Sequence, residues 1–336
     1  MKSLVKKALV TLFSFVMLTT SLVACSKSGV KNTHYQSANM DAKYQIVCTI
    51  FPIYDWVTNI VGDNDNVNVT LLLDQGADLH SFQPTTADIA LIANADMFIF
   101  VGGESDEWAI DAASNAKNKN QKAINLMEVL KDNVIEEELK EGMQAEESEE
   151  SEESEEIEYD EHVWLSLNNA IKSVKNITSA ICEMDSENSA IYTENSNRYI
   201  TELTELDSQY KDVVNNATIK TLIFGDRFPF VYMTNDYDLD YFAAFVGCSA
   251  ETEASFETIS FLAEKINSLN AKYVITIENS DKKIANTIIN SSNNKDAKVV
   301  TLNSMQSVKG SDIAKGTSYM SIMQDNLSIL KDVLAN

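Results

Sequence analysis

The run Val67-Asn68-Val69-Thr70-Leu71-Leu72-Leu73, the loop Asp74-Gln75-Gly76-Ala77-Asp78-Leu79-His80-Ser81-Phe82-Gln83-Pro84 and the sequel Thr85-Thr86-Ala87-Asp88 decide the fold. The first run reads as a buried strand, and the last four residues as the capped start of a helix. His80 therefore falls on a strand-to-helix loop, at the carboxyl end of a strand, where open α/β sheets place their ligands. A single loop histidine is more often a surface residue than a ligand, so the reading depends on what the rest of the chain brings to it.

Outward from this stretch the pattern alternates. Strands are expected at 45–51, 67–73, 96–101 and 123–127, with helices at 53–61, 85–94 and 105–117 between them. Such alternation argues a parallel sheet covered on both faces. Residues 168–183 and 188–214 then form long helical patterns, and in the second Ile191, Tyr199, Leu203, Leu206 and Tyr210 recur near helical spacing. A helix of that length spans about 40 Å. Beyond it, strands at 221–224, 241–246, 273–277 and 298–302 repeat the alternation, and residues 318–334 close the chain as a helix. The expected class is α/β, with two lobes of about four mostly parallel strands each, joined by one long rigid helix.

The bulk composition narrows the function. With 336 residues and 44% hydrophobic content the chain can bury a large core, and length alone suggests about two domains. A net charge of −25 argues against nucleic acid as a partner, because nothing in such a chain neutralises phosphates. More than half of that charge lies in residues 136–161, which hold fifteen acidic residues and one lysine. The Glu-Glu-Ser repeats there have almost no apolar content and are expected to stay disordered.

The amino terminus reads as an address. Lys2, Lys6 and Lys7 precede an apolar stretch, Ala8 to Leu18, too short to span a bilayer, and then comes Leu22-Val23-Ala24-Cys25. Small residues before a cysteine at this place resemble the lipobox of bacterial lipoproteins, which implies lipid on Cys25 and a membrane anchor on the outer face. Residues 26–43 read as a flexible tether, and His34 within it is given no role. Cys48 is expected to be a small buried hydrophobe, and the sequence does not choose a disulfide among Cys48, Cys182 and Cys248.

Only three histidines occur in the chain. Besides His80 there is His162, at the end of the acidic segment. The second half contributes Asp226 in Phe224-Gly225-Asp226-Arg227, Glu278 in Ile277-Glu278-Asn279 and Asn303 in Leu302-Asn303-Ser304, each just past an expected strand. Taken singly, Asp226 reads as an N-cap, Glu278 as a salt-bridge partner of Lys282 and Asn303 as a turn residue. Jointly, two imidazoles with oxygen groups on strand-end loops form a site for zinc, manganese or ferrous iron.

The lipobox, Gly76-Ala77-Asp78-Leu79-His80-Ser81-Phe82-Gln83-Pro84, Asp160-Glu161-His162-Val163-Trp164-Leu165-Ser166, the long helix and Gly316-Thr317-Ser318-Tyr319-Met320-Ser321-Ile322-Met323 together resemble the metal-binding lipoproteins of zinc and manganese ABC importers. The resemblance implies a C-clamp of two lobes and one divalent ion in the cleft, held by two residues from each lobe. The ion is delivered to an ABC permease. Carried over by motif, His80 and His162 are the first two ligands, Asp226 the third and Asn303 the fourth, with Glu278 as the alternative fourth. Zinc is the expected ion and manganese the alternative. The acidic stretch stands where zinc-specific members often carry a histidine-rich loop. The implied organisation is a signal peptide 1–24, a tether 25–43, an amino-terminal lobe 44–187, a linker helix 188–216 and a carboxy-terminal lobe 217–336, in a monomer.

Two other classes compete. A metallohydrolase fits two histidines and an aspartate, but no His-Glu-x-x-His helix or nucleophile elbow is present. A surface adhesin is a role suggested for some relatives, and no residue supports it directly. Turnover assays separate the first from a receptor, and metal-dependent growth of a deletion strain separates the second.

Overall fold

The computed structural model describes residues 34–37, 41–144, 158–249 and 253–335. The expected address at residues 1–25 and the centre of the acidic segment, residues 145–157, lie outside the described residues.

The first sheet has the order β1-β3-β2-β4-β5, with β1 Tyr35–Gln36, β2 Tyr44–Cys48, β3 Val67–Leu71, β4 Met97–Phe100 and β5 Lys122–Asn125. All neighbours are parallel except β1, which runs antiparallel to β3. Every residue of β3 and β4 is buried, as expected of a parallel strand with helices on both faces. The fifth strand is a departure from the four expected. It comes from the presumed tether, whose described residues 34–37 are held in place. Tyr35 N donates to Asp74 Oδ2 at 2.6 Å, and the His34 ring lies 2.6 Å from Asp88 Oδ1 and 3.5 Å from Asp74 Oδ1. His34 thus has a structural role that its polar surroundings in sequence concealed.

The second sheet has the order β7-β6-β8-β9, all parallel, with β6 Thr221–Phe228, β7 Asp240–Val246, β8 Tyr273–Thr276 and β9 Lys298–Thr301. Strand β6 runs four residues past its expected end, and its register with β7 shifts between Phe224 and Arg227. Asp226 consequently lies inside an irregular strand rather than on a loop beyond one.

The long helix, Ser189–Asn215, buries Tyr192, Tyr199, Leu203, Leu206, Tyr210 and Val214 at steps of three, four and seven. Ile191, expected on this face, is 54% exposed, and Tyr192 takes its place. The buried tyrosine hydroxyls all find partners: Tyr192 donates to Asp185 Oδ2, Tyr199 to Asp55 Oδ2 and Tyr210 to the Met323 carbonyl. Buried hydroxyls left unpaired would each cost about 1–3 kcal/mol, so these three fix the helix against helix Phe51–Val61, the turn before it and the closing helix Tyr319–Leu334. One continuous apolar core runs from β2 through this helix to the closing helix, and a smaller cluster packs the helices against β6, β7 and β8. Trp164 Nε1 donates to the Ser304 carbonyl and Tyr319 Oη to the Trp164 carbonyl, which ties the segment after His162 to the second sheet's loops.

The ends of the acidic segment are ordered. Glu136 pairs with Tyr159, Glu137 N donates to the Glu158 carbonyl and Gln144 N to the Ala244 carbonyl. Among the described residues Cys48, Cys182 and Cys248 are free thiols, and no helix is long and apolar enough to cross a membrane.

Candidate metal centre

His80 sits in a single 3-10 turn, Leu79–Ser81, that follows β3. The Asp78 side chain caps the turn by accepting from His80 N at 3.1 Å. His162 is fully buried, and its backbone N donates to Asp160 Oδ1 at 2.8 Å. Its ring lies against Trp164 on one side and His80 on the other. The two Nε2 atoms face each other at 3.2 Å.

The outer nitrogen of each ring meets an oxygen. An ionised carboxylate only accepts, so His162 Nδ1, 3.1 Å from Asp160 Oδ1, carries a proton. His80 Nδ1 stands 2.7 Å from Ser105 Oγ and 3.7 Å from Glu161 Oε2. Glu161 in turn accepts from Ser105 N at 2.7 Å, while its Oε2 is buried with no hydrogen-bond partner among the described residues. Gly103 permits this approach: at φ +86° it has no Cβ, which would fall 2.5 Å from Glu161 Oε1. With both Nδ1 atoms turned outward to oxygens, both Nε2 atoms face inward. Only a proton or a metal cation can bridge them. Imidazoles bound at about 2.0–2.1 Å to one tetrahedral ion hold their nitrogens about 3.3 Å apart, close to the spacing found here. Outer oxygens that orient ring ligands in this way are the usual support of a metal site.

The two imidazoles differ electrostatically. Burial, and then the neighbouring His162, pull His80 down to about 3. Burial also pulls His162 down, but Asp160, Glu161 and Asp78 more than offset it, and the net direction is upward. Of the two rings, His162 is therefore the more readily protonated. Burial pushes Glu161 up as well, against its bonds from Ser105.

An open cavity of about 770 Å³ reaches His80, with Asp78, Asp226, Cys248, Glu278 and Gln306 also on its wall. Asp226 spends its oxygens on Arg227 N at 2.9 Å and Ile277 N at 3.4 Å. Glu278 accepts from Ser304 N, Ser304 Oγ and Gln306 N at 2.7, 2.9 and 3.0 Å, and so shapes the loop after β9. Asn303 is not on that wall: its Oδ1 accepts from Met305 N at 2.8 Å, and its backbone is held at both N and O by Asn326. Gln306, oriented with its amide nitrogen 2.8 Å from Asp78, turns its oxygen to His162 Nε2 at 3.3 Å. Of the residues singled out in the sequence, the fold brings His80 and His162 together, puts Asp226 and Glu278 on the approach and uses Asn303 in a turn.

Sequence reasoning passed over Cys248. It lies two residues past β7, in the same kind of strand-end position that pointed to His80. In the sequence it reads only as a possible disulfide partner of Cys48 or Cys182. In the fold, donor atoms of His80, His162 and Cys248 all lie within 4.8 Å of one another. Burial, then Asp160, Glu137 and Glu161, push its thiol well above the usual range.

A family model described as zinc-uptake complex component A (ZnuA), periplasmic, matches residues 46–333. The chain is 31% identical to the high-affinity zinc uptake system protein ZnuA of Bacillus subtilis over 315 residues, 93% of each protein. It is 30% identical to the zinc-binding lipoprotein AdcA of Streptococcus pneumoniae, over 92% of this chain but only 58% of that longer protein. The crystal structure of the Zn(II)-bound ZnuA-like domain of AdcA superposes with a TM-score of 0.68 at 26% identity, covering 88% of this chain and all of that one.

Proposed function

The chain belongs to the zinc-uptake complex component A family, and on that footing we propose that it is an extracytoplasmic receptor that binds one zinc ion between His80 and His162 and hands it to an ABC permease. The family consists of uptake components, and the chain is not an enzyme. Zinc is the cargo: it enters, is held and leaves unchanged. The observation that carries the reading is the pair of inward-facing Nε2 atoms 3.2 Å apart, each ring met by an oxygen on its far side. Neutral imidazoles suit zinc, and a buried pair next to Asp160 and Glu161 supplies negative potential for a dication. The open cavity suits an ion that must be released.

Asp226 and Glu278 on the cavity wall are oxygen donors along the approach. Their hardness favours manganese as the second reading, since carboxylates suit manganese better than imidazoles do. Lipid on Cys25 supplies the anchor, and the receptor acts as a monomer.

Calorimetric titration of the full chain with zinc and with manganese tests this. One zinc ion per chain, bound more tightly than manganese, is the expected result. Tighter manganese binding selects the second reading, and no saturable binding of either overturns both.

A further inference from the structure

We propose that Cys248 is the third protein ligand to zinc, as a thiolate, completing a His80–His162–Cys248 set; this rests on the reading of the cleft as a zinc site. Three observations on the fold converge. The sulfur and the two imidazole donor atoms lie within 4.8 Å of one another. At about 2.0–2.1 Å for Zn–N and about 2.3 Å for Zn–S, a tetrahedral ion holds nitrogen and sulfur about 3.6 Å apart, so closing on the ion takes an inward movement of about 1 Å. Rotation of one cysteine side chain supplies that.

The second observation is how the loop is brought there. Gly247 packs directly on the histidine: a Cβ at this position would sit 3.2 Å from His162 Cε1, 2.9 Å from Asp160 Oδ2 and 3.0 Å from the Phe228 carbonyl. Any larger residue pushes the loop, and Cys248 with it, away from His162. Cys248 N donates to Glu137 Oε1 at 3.2 Å, which holds the loop from the other side. Glu137 belongs to the ordered root of the acidic segment, so that segment has a positioning part in the site.

Third, the alternatives in the second half are already engaged. Asp226 and Glu278 accept hydrogen bonds from backbone amides, and Asn303 stays in its turn. Cys248 is a free thiol on the cavity wall. On zinc binding the sulfur gains a Zn–S bond and loses its S–H bond, and the proton leaves to solvent through the cavity. Two histidines, one cysteine and an open fourth position give a soft, zinc-selecting set that still exchanges its ion.

Cobalt(II) reports the thiolate, because a Co–S bond adds an intense near-ultraviolet charge-transfer band that nitrogen and oxygen ligands lack. The full chain loaded with one cobalt ion is expected to show this band. Cys48→Ser and Cys182→Ser retain it, and Cys248→Ser loses it. Cys248→Ser also weakens zinc at least tenfold while changing manganese affinity less than twofold. Cobalt and zinc binding without the band in the parent chain, or with the band intact in Cys248→Ser, overturns the thiolate and leaves the receptor reading standing. Failure of the parent chain to bind either ion overturns both.

Discussion

Arg227 on β6 places Nη2 2.8 Å from Oδ2 of Asp78, the residue that caps the turn carrying His80. The other Asp78 oxygen stands only 4.0 Å from His80 Nε2. Arg227, the strongest influence on Asp78 after burial, keeps its carboxyl below the usual range. The arginine therefore holds in reserve a carboxylate that could otherwise close on the ion.

Arg227→Ala frees that charge beside a dication. Zinc affinity is expected to rise at least tenfold, about 1.4 kcal/mol, and release to a chelator to slow. Stopped-flow release that is unchanged or faster assigns the ion pair to packing alone.

His80→Ala and His162→Ala each remove a proposed zinc ligand and are expected to weaken binding at least tenfold by calorimetry. Their effects on stability should differ. His162→Ala strips the buried Asp160 of a ring partner, at a cost of about 1–3 kcal/mol, whereas the half-buried His80 leaves a gap open to the cavity. Equal melting temperatures for the two variants contradict the arrangement derived for Asp160.

Asn303 and Glu278 separate ligation from shaping. Asn303→Asp adds a charge on a side chain committed to Met305 N, and zinc affinity is expected to change less than twofold. Glu278→Gln replaces a three-bond acceptor and lowers stability by about 1–2 kcal/mol. A tenfold tighter Asn303→Asp variant would bring that residue into the site.

Asp55 makes stability depend on pH away from the site. Burial pushes its carboxyl from 3.8 up to about 6, against the bond from Tyr199. The folded chain thus favours the protonated form, and stability falls as pH rises from about 4 through 6. Above that range the buried charge costs about 3 kcal/mol. Asp55→Asn removes this penalty, so its stability gain over the parent should be larger at pH 8 than at pH 5 in urea denaturation. A gain independent of pH is the outcome that defeats this account.

Cys25→Ser is expected to release the protein from washed membranes, because it removes the proposed lipid anchor. Retention of the variant points to another anchor.

The sequence by itself determined the architecture and singled out His80 and His162. Alternating periodicity is a local property, and it sufficed for both parallel sheets and the long helix. His80 and His162 stood out because histidine is rare in this chain and both fall on loops. Tertiary structure decided which other groups meet them. A strand-end position says where a residue lies along the chain but not where its side chain points, and the register shift in β6 changes that direction for Asp226. On the long helix a one-residue error is a rotation of about 100°, enough to exchange Ile191 for Tyr192. Ser105, Glu161 and Cys248 gather around the histidines only through packing of loops from both sheets. Gly247 illustrates the reason: its missing side chain carries no sequence signal of its own, yet the space it leaves is what admits the cysteine loop to His162.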